Sequence, residues 1–275
     1  MGREVESGPA SATGVPGRAL AVAEAAAREA GALLLERFGR VERSQVRSKS
    51  AARDLVTTAD VESERLIVAR LRAAFPGHAI EAEEEVRDAA GDDRPRWFVD
   101  PLDGTVNFVH GIPAFSVSIA LWERGRPEAA VVHLPRLAET FTAERGRGAR
   151  KDGEPVRVSE ATSLGESILA TGFPYRRNEL PNNNLENFNR FFLDVRGMRR
   201  MGSAAMDLAY VAAGRLDGFW ELHLAPHDVA AGALLVLEAG GIVRDAGGGE
   251  DWLRGGSIVA AGPGIFEVIR SRVRA

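Results

Sequence analysis

The chain has 275 residues, which is enough for one large domain or two small ones with an ample core. Hydrophobic residues make up 45% and charged residues 27%, an ordinary composition for a soluble globular protein, and the net charge of -4 argues against a nucleic-acid-binding surface. Cysteine is absent, which excludes disulfides, thiolate metal ligands and a cysteine nucleophile, and fits a cytoplasmic location.

The amino-terminal region contains a polar segment followed by two predicted helices. Residues 1–17 are rich in Gly, Ala, Ser and Pro without an apolar run, so we expect a disordered tail and not a signal peptide. Residues 19–38 are apolar but interrupted by charges and end at Gly39, which predicts an amphipathic helix that does not span a membrane. A second helix is predicted over residues 61–75, with Asp60 as its N-cap.

An antiparallel sheet is predicted next along the chain. Residues 115–122 alternate between apolar and polar side chains, and residues 128–134 form the returning strand after a Gly-Arg-Pro turn. Residues 137–143 and 155–158 are expected to extend this sheet. The first half of the molecule therefore comprises residues 18–159.

The second half, residues 160–275, alternates strands and helices more regularly. Strands are predicted over residues 167–171, 198–200, 218–222 and 257–261. Helices are predicted over residues 184–194, 204–213 and 265–273, and a further helix begins at Pro226 and ends at a Gly-Gly pair. This pattern predicts an α+β protein in which sheets and helices form mixed layers.

The segment around Asp100 is the most informative part of the sequence. Asp100 and Asp103 end a short apolar segment and are followed directly by Gly104 and Thr105, where a helix could begin. Carboxylates this close repel each other unless a cation lies between them, and Mg²⁺ prefers such oxygen ligands. The first N–H groups of a helix bind anions. By itself, however, the segment is equally typical of a strand that ends in a polar turn.

Two further acidic features lie elsewhere in the chain. Residues 81–85 contain four glutamates, and Asp228 lies in the first turn of a predicted helix. Taken alone, the glutamates are more typical of a solvated loop, and Asp228 is more typical of a residue that stabilises the helix dipole.

Together, these motifs resemble the inositol monophosphatase family of Mg²⁺-dependent phosphatases. Its first signature, Asp-Pro-(Ile/Leu)-Asp-Gly-Thr followed by Asn-Phe, is matched by residues 100–108, and its second, Trp-Asp followed later by Glu-Ala-Gly-Gly, by residues 228–241. A Glu-Glu pair matches residues 83–84, and an Asp-Leu-Val-Thr-x-x-Asp motif matches residues 54–60. The likeness extends over residues 19–273 and implies a layered αβαβα sandwich.

The resemblance also implies roles for individual residues. Two or three Mg²⁺ ions would be held by Glu83, Asp100, the backbone carbonyl of Leu102, Asp103 and Asp228. Asp60 and Thr105 would orient the attacking water, and Glu83 is counted with them among the catalytic residues.

The substrate contacts are implied in the same way. The N–H groups of Gly104 and Thr105 would bind the phosphate, and Lys49 would belong to a mobile loop that closes over the metals. The pocket for the alcohol would be lined by Gly202, Ser203, Ala204 and Glu221. From the residues alone, Asp60 and Thr105 remain explicable as helix-capping residues and Lys49 as part of a solvated basic loop.

One position departs from the family pattern, because His227 replaces the tryptophan that usually precedes the metal-binding aspartate. The aspartate itself is retained, so we expect metal binding to be kept and the choice of substrate to be affected.

The expected function is Mg²⁺-dependent hydrolysis of a phosphate monoester, with inositol 1-phosphate as the first choice. Histidinol phosphate and fructose 1,6-bisphosphate are the alternatives on the same scaffold. A regulatory protein that interacts with a transcription complex is the alternative from another class. The resemblance further implies a lithium-sensitive homodimer, and we expect neither nucleic-acid nor membrane partners.

Overall fold

The computed structural model describes residues 15–42, 44, 46–49, 54–89 and 94–275. Helix α1 spans Val15–Arg37, so it begins slightly earlier than predicted. Apart from the first residues of α1, the predicted tail lies outside the described residues. No helix in the described part of the chain combines the length and the apolarity that a membrane span requires.

Helix α2 follows a small hairpin, and its N-cap residue differs from the prediction. Strands β1 (Val46–Ser48) and β2 (Leu55–Thr57) pair antiparallel and lead into α2 (Thr58–Ala74). The N-cap is Thr57, so the prediction of Asp60 as N-cap was wrong. Thr57 has an extended backbone and its hydroxyl accepts the Ala59 N–H, while the Asp60 carboxylate reaches back to accept the Thr57 N–H at 2.8 Å. This is the reciprocal arrangement of a capping box.

A seven-stranded sheet forms the first large layer. Its strands are adjacent in chain order: β3 (Ala79–Ala82), β4 (Arg96–Asp103), β5 (Ser116–Glu123), β6 (Arg126–Leu134), β7 (Glu139–Glu144), β8 (Ala149–Lys151) and β9 (Glu154–Pro155). Strand β3 is parallel to β4, and the other pairs are antiparallel. Helix α3 (Thr105–Val109) lies between β4 and β5.

The outer edge of this sheet differs from the prediction. Strand β8 was not predicted, and the predicted strand 155–158 is reduced to its first residue because the chain leaves the sheet. The N–H of Val158 bonds to the carbonyl of Ala239 and not to a neighbouring strand.

A five-stranded sheet forms the second large layer. Its order is β11-β10-β12-β14-β13, from β10 (Ile168–Thr171), β11 (Gly197–Arg199), β12 (Gly218–Leu222), β13 (Ile242–Arg244) and β14 (Ser257–Ala261). Strand β10 is parallel to both of its neighbours, whereas β14 is antiparallel to β12 and β13. The short strand β13 was not predicted. The helices here are α4 (Leu185–Phe192), α5 (Ala204–Ala212), α6 (Pro226–Glu238) and α7 (Phe266–Arg270).

Three apolar clusters join these elements into layers. Side chains on one face of the seven-stranded sheet, such as Trp97 and Ile119, pack with α1 and α2. Those on the other face, such as Phe98 and Ala120, pack with α5, α6 and the second sheet, because successive side chains of a strand point to opposite faces. The far side of the second sheet packs against Phe191 of α4 and Phe266 of α7. The order of layers is therefore αβαβα, as predicted.

Candidate active site

The end of β4 brings two acidic side chains to the junction with α3. The pairing of β4 with β5 is irregular between Asp100 and Asp103, and both aspartates are buried. The backbone then turns at Gly104, whose φ of 101° is accessible mainly to glycine. A Cβ at this position would lie 2.9 Å from the Ala114 carbonyl oxygen, so the close approach of the two segments also requires glycine.

Asp60 and Thr105 are brought into contact by the packing of α2 against β4. The Thr105 hydroxyl donates to Asp60 Oδ1 at 2.8 Å, and both side chains are buried. Burial raises the pKa of Asp60 to about 6, although the hydrogen bonds from Thr57 and Thr105 oppose this shift. Asp60 thus accepts the backbone N–H of the N-cap Thr57 through one carboxylate oxygen and the Thr105 hydroxyl through the other.

The acidic loop after β3 is held by a residue that the sequence analysis missed. Glu64 of α2 is completely buried, and its carboxylate accepts the backbone N–H groups of Glu84, Glu85 and Val86 at 2.6–2.9 Å. The i, i+3, i+4 spacing of Asp60, Ser63 and Glu64 places them on one face of α2, where all three are buried, but the spacing does not identify the loop that Glu64 holds. The loop that carries Glu83 is therefore attached to the same helix as Asp60.

Four of the predicted metal ligands form an electrostatically coupled cluster. Burial raises the pKa of Asp103 to about 7 and that of Asp100 well above its usual value, and the negative charges of neighbouring carboxylates add to both shifts. Burial also raises the pKa of Asp228, and the charge of Glu83 contributes. These side chains come from the β3 loop, β4 and α6. They lie close enough together that the charge of each carboxylate disfavours the ionisation of another.

Lys49 is the basic residue placed against this cluster. Its Nζ lies 2.7 Å from Glu83 and 2.5 Å from Glu84. Burial lowers the pKa of Lys49, but the two ion pairs outweigh this and raise it. Burial also opposes ionisation of Glu83, yet His227 and Lys49 together hold the pKa of Glu83 below its usual value.

The carboxylate oxygens of this cluster are suitable ligands for a hard divalent cation. As the side chains stand, no group of three or more His, Cys, Asp or Glu within the described ranges is arranged to hold one ion. The buried carboxylates nevertheless carry more negative charge than one ammonium group compensates, and their oxygens are the ligand type that Mg²⁺ prefers.

Asp103 also connects the two sheets of the molecule. Its Oδ2 accepts the Ser203 hydroxyl and the Ala205 N–H, each at 2.7 Å. The Ser203 hydroxyl in turn caps α5 by accepting the Met206 N–H. Gly202, Ser203 and Ala204 are therefore held beside the acidic cluster.

A cavity of about 240 Å³ lies beside Asp103 and Asp228. Glu221 and the predicted segment Gly202, Ser203 and Ala204 line it, together with Gly172, Phe173, Pro174, Tyr175, Arg176, Leu180, Arg200, Asp207, His223 and Leu224. Of these, Tyr175, Arg200 and Asp207 were not identified as site residues from the sequence. The cavity lining does not include Lys49, Asp60, Glu83 or Thr105.

Glu221 is positioned in this cavity by a glycine opposite it. A Cβ on Gly172 would lie 2.1 Å from both carboxylate oxygens of Glu221, so any other residue there would require the carboxyl group to move. Burial raises the pKa of Glu221 to about 8, although the charge of Arg200 opposes this shift. The cavity therefore presents a carboxyl group that is largely protonated near neutral pH when no ligand is present.

Comparisons with known proteins agree with this geometry. The model of the inositol monophosphatase family matches residues 18–274. The chain is 46% identical over 259 residues to the Nus factor SuhB of Pseudomonas aeruginosa, a match covering 93% of this chain and 95% of that protein. It is 44% identical over 249 residues to an inositol-1-monophosphatase of Mesorhizobium japonicum, covering 90% and 93% of the two chains.

A solved structure extends the agreement to the fold. The crystal structure of the extragenic suppressor protein suhB from Bartonella henselae has a TM-score of 0.87 and is 42% identical in sequence, covering 93% of this chain and 98% of that one. The motifs, the layered architecture and these similarities lead to one conclusion: the chain belongs to the inositol monophosphatase family.

Proposed function

We propose that this protein is a Mg²⁺-dependent phosphomonoesterase that hydrolyses cyclitol or sugar phosphates, with inositol 1-phosphate as its preferred substrate. The observation that carries the proposal is the convergence of buried carboxylates from three elements beside a cavity. The hydrogen bond between Thr105 and Asp60 adds to it. Inositol-1-monophosphatase is the name of a relative that is 44% identical.

The proposed cation ligands are Glu83, Asp100, the Leu102 carbonyl, Asp103 and Asp228. Bound Mg²⁺ would supply Lewis acidity, lower the pKa of water and balance the charge of the phosphate. Uncatalysed phosphate monoester hydrolysis is so slow that enzymes accelerate it by up to ~10²¹-fold, whereas one well-placed hydrogen bond supplies roughly 10²–10³-fold. Hydrogen bonds from the protein alone are therefore insufficient.

The protein side chains orient the reactants. Because the Thr105 hydroxyl donates its proton to Asp60, its oxygen is left to accept a hydrogen bond from the attacking water. Asp60, with a pKa of about 6, is mostly ionised at neutral pH and so keeps the Thr105 hydroxyl in this orientation. The N–H groups of Gly104 and Thr105 bind the phosphate in the same proposal.

The dimensions of the cavity favour a small alcohol. Its volume of about 240 Å³ is below the roughly 300–1,000 Å³ of pockets for drug-sized ligands. Glu221 offers hydrogen bonds to a polyol, and a single sugar or cyclitol ring matches both the size and the polarity of the cavity.

Phosphate release from a panel of substrates tests the proposal. The panel contains inositol 1-phosphate, histidinol phosphate, fructose 1,6-bisphosphate and phosphoadenosine phosphate, each assayed with and without Mg²⁺. We expect Mg²⁺-dependent release with the highest kcat/KM for inositol 1-phosphate. A preference for another ester would refute the substrate assignment but keep the reaction, and no release from any member would contradict the enzymatic proposal.

A matched pair of aspartate variants tests the cation ligands. Asp103→Asn removes one negative charge from the cluster, and we expect Mg²⁺-dependent kcat to fall by at least about 10²-fold. Asp194→Asn is the control, because Asp194 is exposed and pairs with Arg272 at the surface. Circular dichroism would check that both variants are folded. Normal turnover by a folded Asp103→Asn protein would show that the metal assignment is wrong.

A second candidate function follows from the relatives named Nus factor SuhB, of which one is 46% identical. This chain would then act as a regulatory subunit of a transcription complex. Purified RNA polymerase can be tested for binding to the protein at a one-to-one ratio. Stoichiometric binding without phosphatase activity on the panel would favour this function over the enzymatic one.

The phosphomonoesterase proposal includes further properties of the protein. We propose two or three Mg²⁺ ions in turnover, inhibition by lithium, a homodimer and a cytoplasmic location. Lithium inhibition and the mass of the protein in solution can be measured directly on the purified chain.

A further inference from the structure

His227 occupies a position next to the acidic cluster where the family signature has tryptophan. It is the second residue of α6, directly before Asp228, and only 8% of its surface is exposed. Its Nε2 lies 3.7 Å from Asp228 Oδ1. The ring is therefore buried beside a proposed cation ligand and does not extend into solvent.

The charge of the imidazole affects two carboxylates from different parts of the chain. Burial opposes the ionisation of both Glu83 and Asp228, and His227 is the neighbour that favours it most in each case. Glu83 comes from the loop after β3 and Asp228 from α6. The ring thus lies where these two segments meet.

The replacement of tryptophan by histidine changes the chemistry that the position can supply. The tryptophan N–H is only a hydrogen-bond donor, whereas a neutral imidazole has a nitrogen lone pair that binds metals. Imidazole suits first-row transition metals, while Mg²⁺ prefers oxygen ligands.

The observed separation permits a shared ion. A nitrogen or oxygen ligand lies about 2.1 Å from zinc, so two donor atoms up to about 4.2 Å apart can contact the same ion. The distance from His227 Nε2 to Asp228 Oδ1, 3.7 Å, is within this limit.

We propose that His227 is a nitrogen ligand of the cation held by Asp228 and Glu83, so that the site binds Mn²⁺ or Zn²⁺ in addition to Mg²⁺. The inference rests on the cation site of the proposed function. The new elements are the His227 ligand, which the family signature lacks, and the binding of Mn²⁺ or Zn²⁺, which a nitrogen ligand favours.

The decisive experiment detects the nitrogen ligand spectroscopically. The purified full-length protein is loaded with Mn²⁺, and electron spin echo modulation is recorded for the wild type, His227→Gln and His227→Trp. We expect ¹⁴N modulation from a directly bound imidazole in the wild type and its loss in both variants. His110→Gln is the control, because His110 is exposed and should leave the signal unchanged.

Binding of each metal supplies a second readout. Titration calorimetry should show that His227→Trp and His227→Gln bind Mn²⁺ and Zn²⁺ at least about tenfold more weakly, with Mg²⁺ affinity changed by less than about threefold. Equal losses for Mg²⁺ and Mn²⁺, or a wild-type Mn²⁺ spectrum without ¹⁴N modulation, would overturn the inference. The glutamine variant keeps the test valid if the larger tryptophan disturbs folding.

The two proposals fail in different ways. Mg²⁺ binding and phosphate release without nitrogen coordination would refute only the role of His227. Failure of the wild type to bind either Mg²⁺ or Mn²⁺ would refute the cation site itself, and with it both proposals.

Discussion

Glu221 and Asp207 are two carboxyl groups in the same cavity, and both favour the protonated form. Burial raises the pKa of Asp207 well above its usual value, and the charges of Glu221 and Asp103 add to the shift. Asp207 Oδ1 is buried without a hydrogen-bond partner in the described structure. Unpaired buried polar atoms are costly, so a substrate hydroxyl that reaches this region would gain hydrogen bonds that the empty cavity lacks.

Glu221→Gln tests whether this carboxyl group selects the alcohol. We expect kcat/KM for a polyol phosphate such as inositol 1-phosphate to fall about tenfold, or roughly 1.4 kcal/mol, because the amide NH₂ group cannot accept a hydrogen bond where the second carboxyl oxygen can. Hydrolysis of a simple aryl phosphate, which has no hydroxyls to bind, should be nearly unchanged. An equal loss on both substrates would argue against a role in specificity.

At the scale of single residues, the sequence motifs located the acidic cluster but not its supporting contacts. Asp100, Asp103 and Asp228 are recognisable because their neighbours along the chain form signatures. Glu64 and Asp207 lie inside helices of ordinary composition. The carboxylates that Lys49 contacts are visible only in the packed structure. Their partners are 20–35 or more residues away in the chain, so no local pattern could identify them.

At the scale of elements, Glu64 joins helix α2 to the acidic loop. One carboxylate accepts three backbone N–H groups, an arrangement that an uncharged amide cannot reproduce because its NH₂ group is a donor. We therefore expect Glu64→Gln to lower the free energy of unfolding by about 1–3 kcal/mol.

Denaturant unfolding would measure this change, with Glu62→Gln as the control. Glu62 is on the same helix but pairs with Arg37 at the surface, where ion pairs contribute little. The Glu64 variant should also bind Mg²⁺ more weakly, because Glu83 is in the loop that Glu64 holds. Equal stabilities of the two variants would contradict this role.

Helix α1 packs over His133 of β6, and this contact should make stability depend on pH. A Cβ on Gly31 would lie 2.6 Å from the His133 ring, so helix and ring are in close contact. Burial lowers the pKa of His133 to about 4, and the charge of Arg28 adds to the effect, although Asp152 and Glu24 oppose it.

Proton linkage predicts that His133 lowers the stability of the folded state as the pH falls. Because the folded state holds His133 neutral while the unfolded state protonates near pH 6.5, stability is fully present above about pH 6.5 and is lost as the pH falls towards 4. The loss would be up to about 3 kcal/mol. The unfolding free energy of His133→Phe should change less with pH between these values than that of the wild type. Equal changes in the two proteins would show that His133 does not cause the dependence.

At the scale of the whole molecule, the proposed active site lies where the two sheets meet. Asn107 of α3 donates to the carbonyls of Ala114 and Met201 at 2.6 and 2.7 Å, which places the Gly202 segment against the end of β4. Asp103 makes the second connection through Ser203 and Ala205. The cavity beside Asp103 therefore depends on the relative position of the two halves.

Asn107→Asp tests this connection. The variant has the same shape but presents an acceptor to two carbonyl oxygens, so both hydrogen bonds are lost. We expect KM for the phosphate ester to rise severalfold and the unfolding free energy to fall by about 1–3 kcal/mol. Asn183→Asp is a control in another loop, where Asn183 donates to the Arg177 carbonyl. Unchanged KM in the Asn107 variant would show that the segment is positioned by other contacts.

The sequence by itself determined the elements with strong periodicity, the order of layers through family resemblance, and the motif from Asp100 to Thr105. These features depend on residues that are close together along the chain. Only the tertiary structure decided that Thr57 and not Asp60 caps α2, that Glu64 holds the acidic loop, and that Tyr175, Arg200 and Asp207 line the cavity. Such contacts join distant segments, and they arise from the packing of two sheets around α5 and α6, which short-range sequence patterns do not encode.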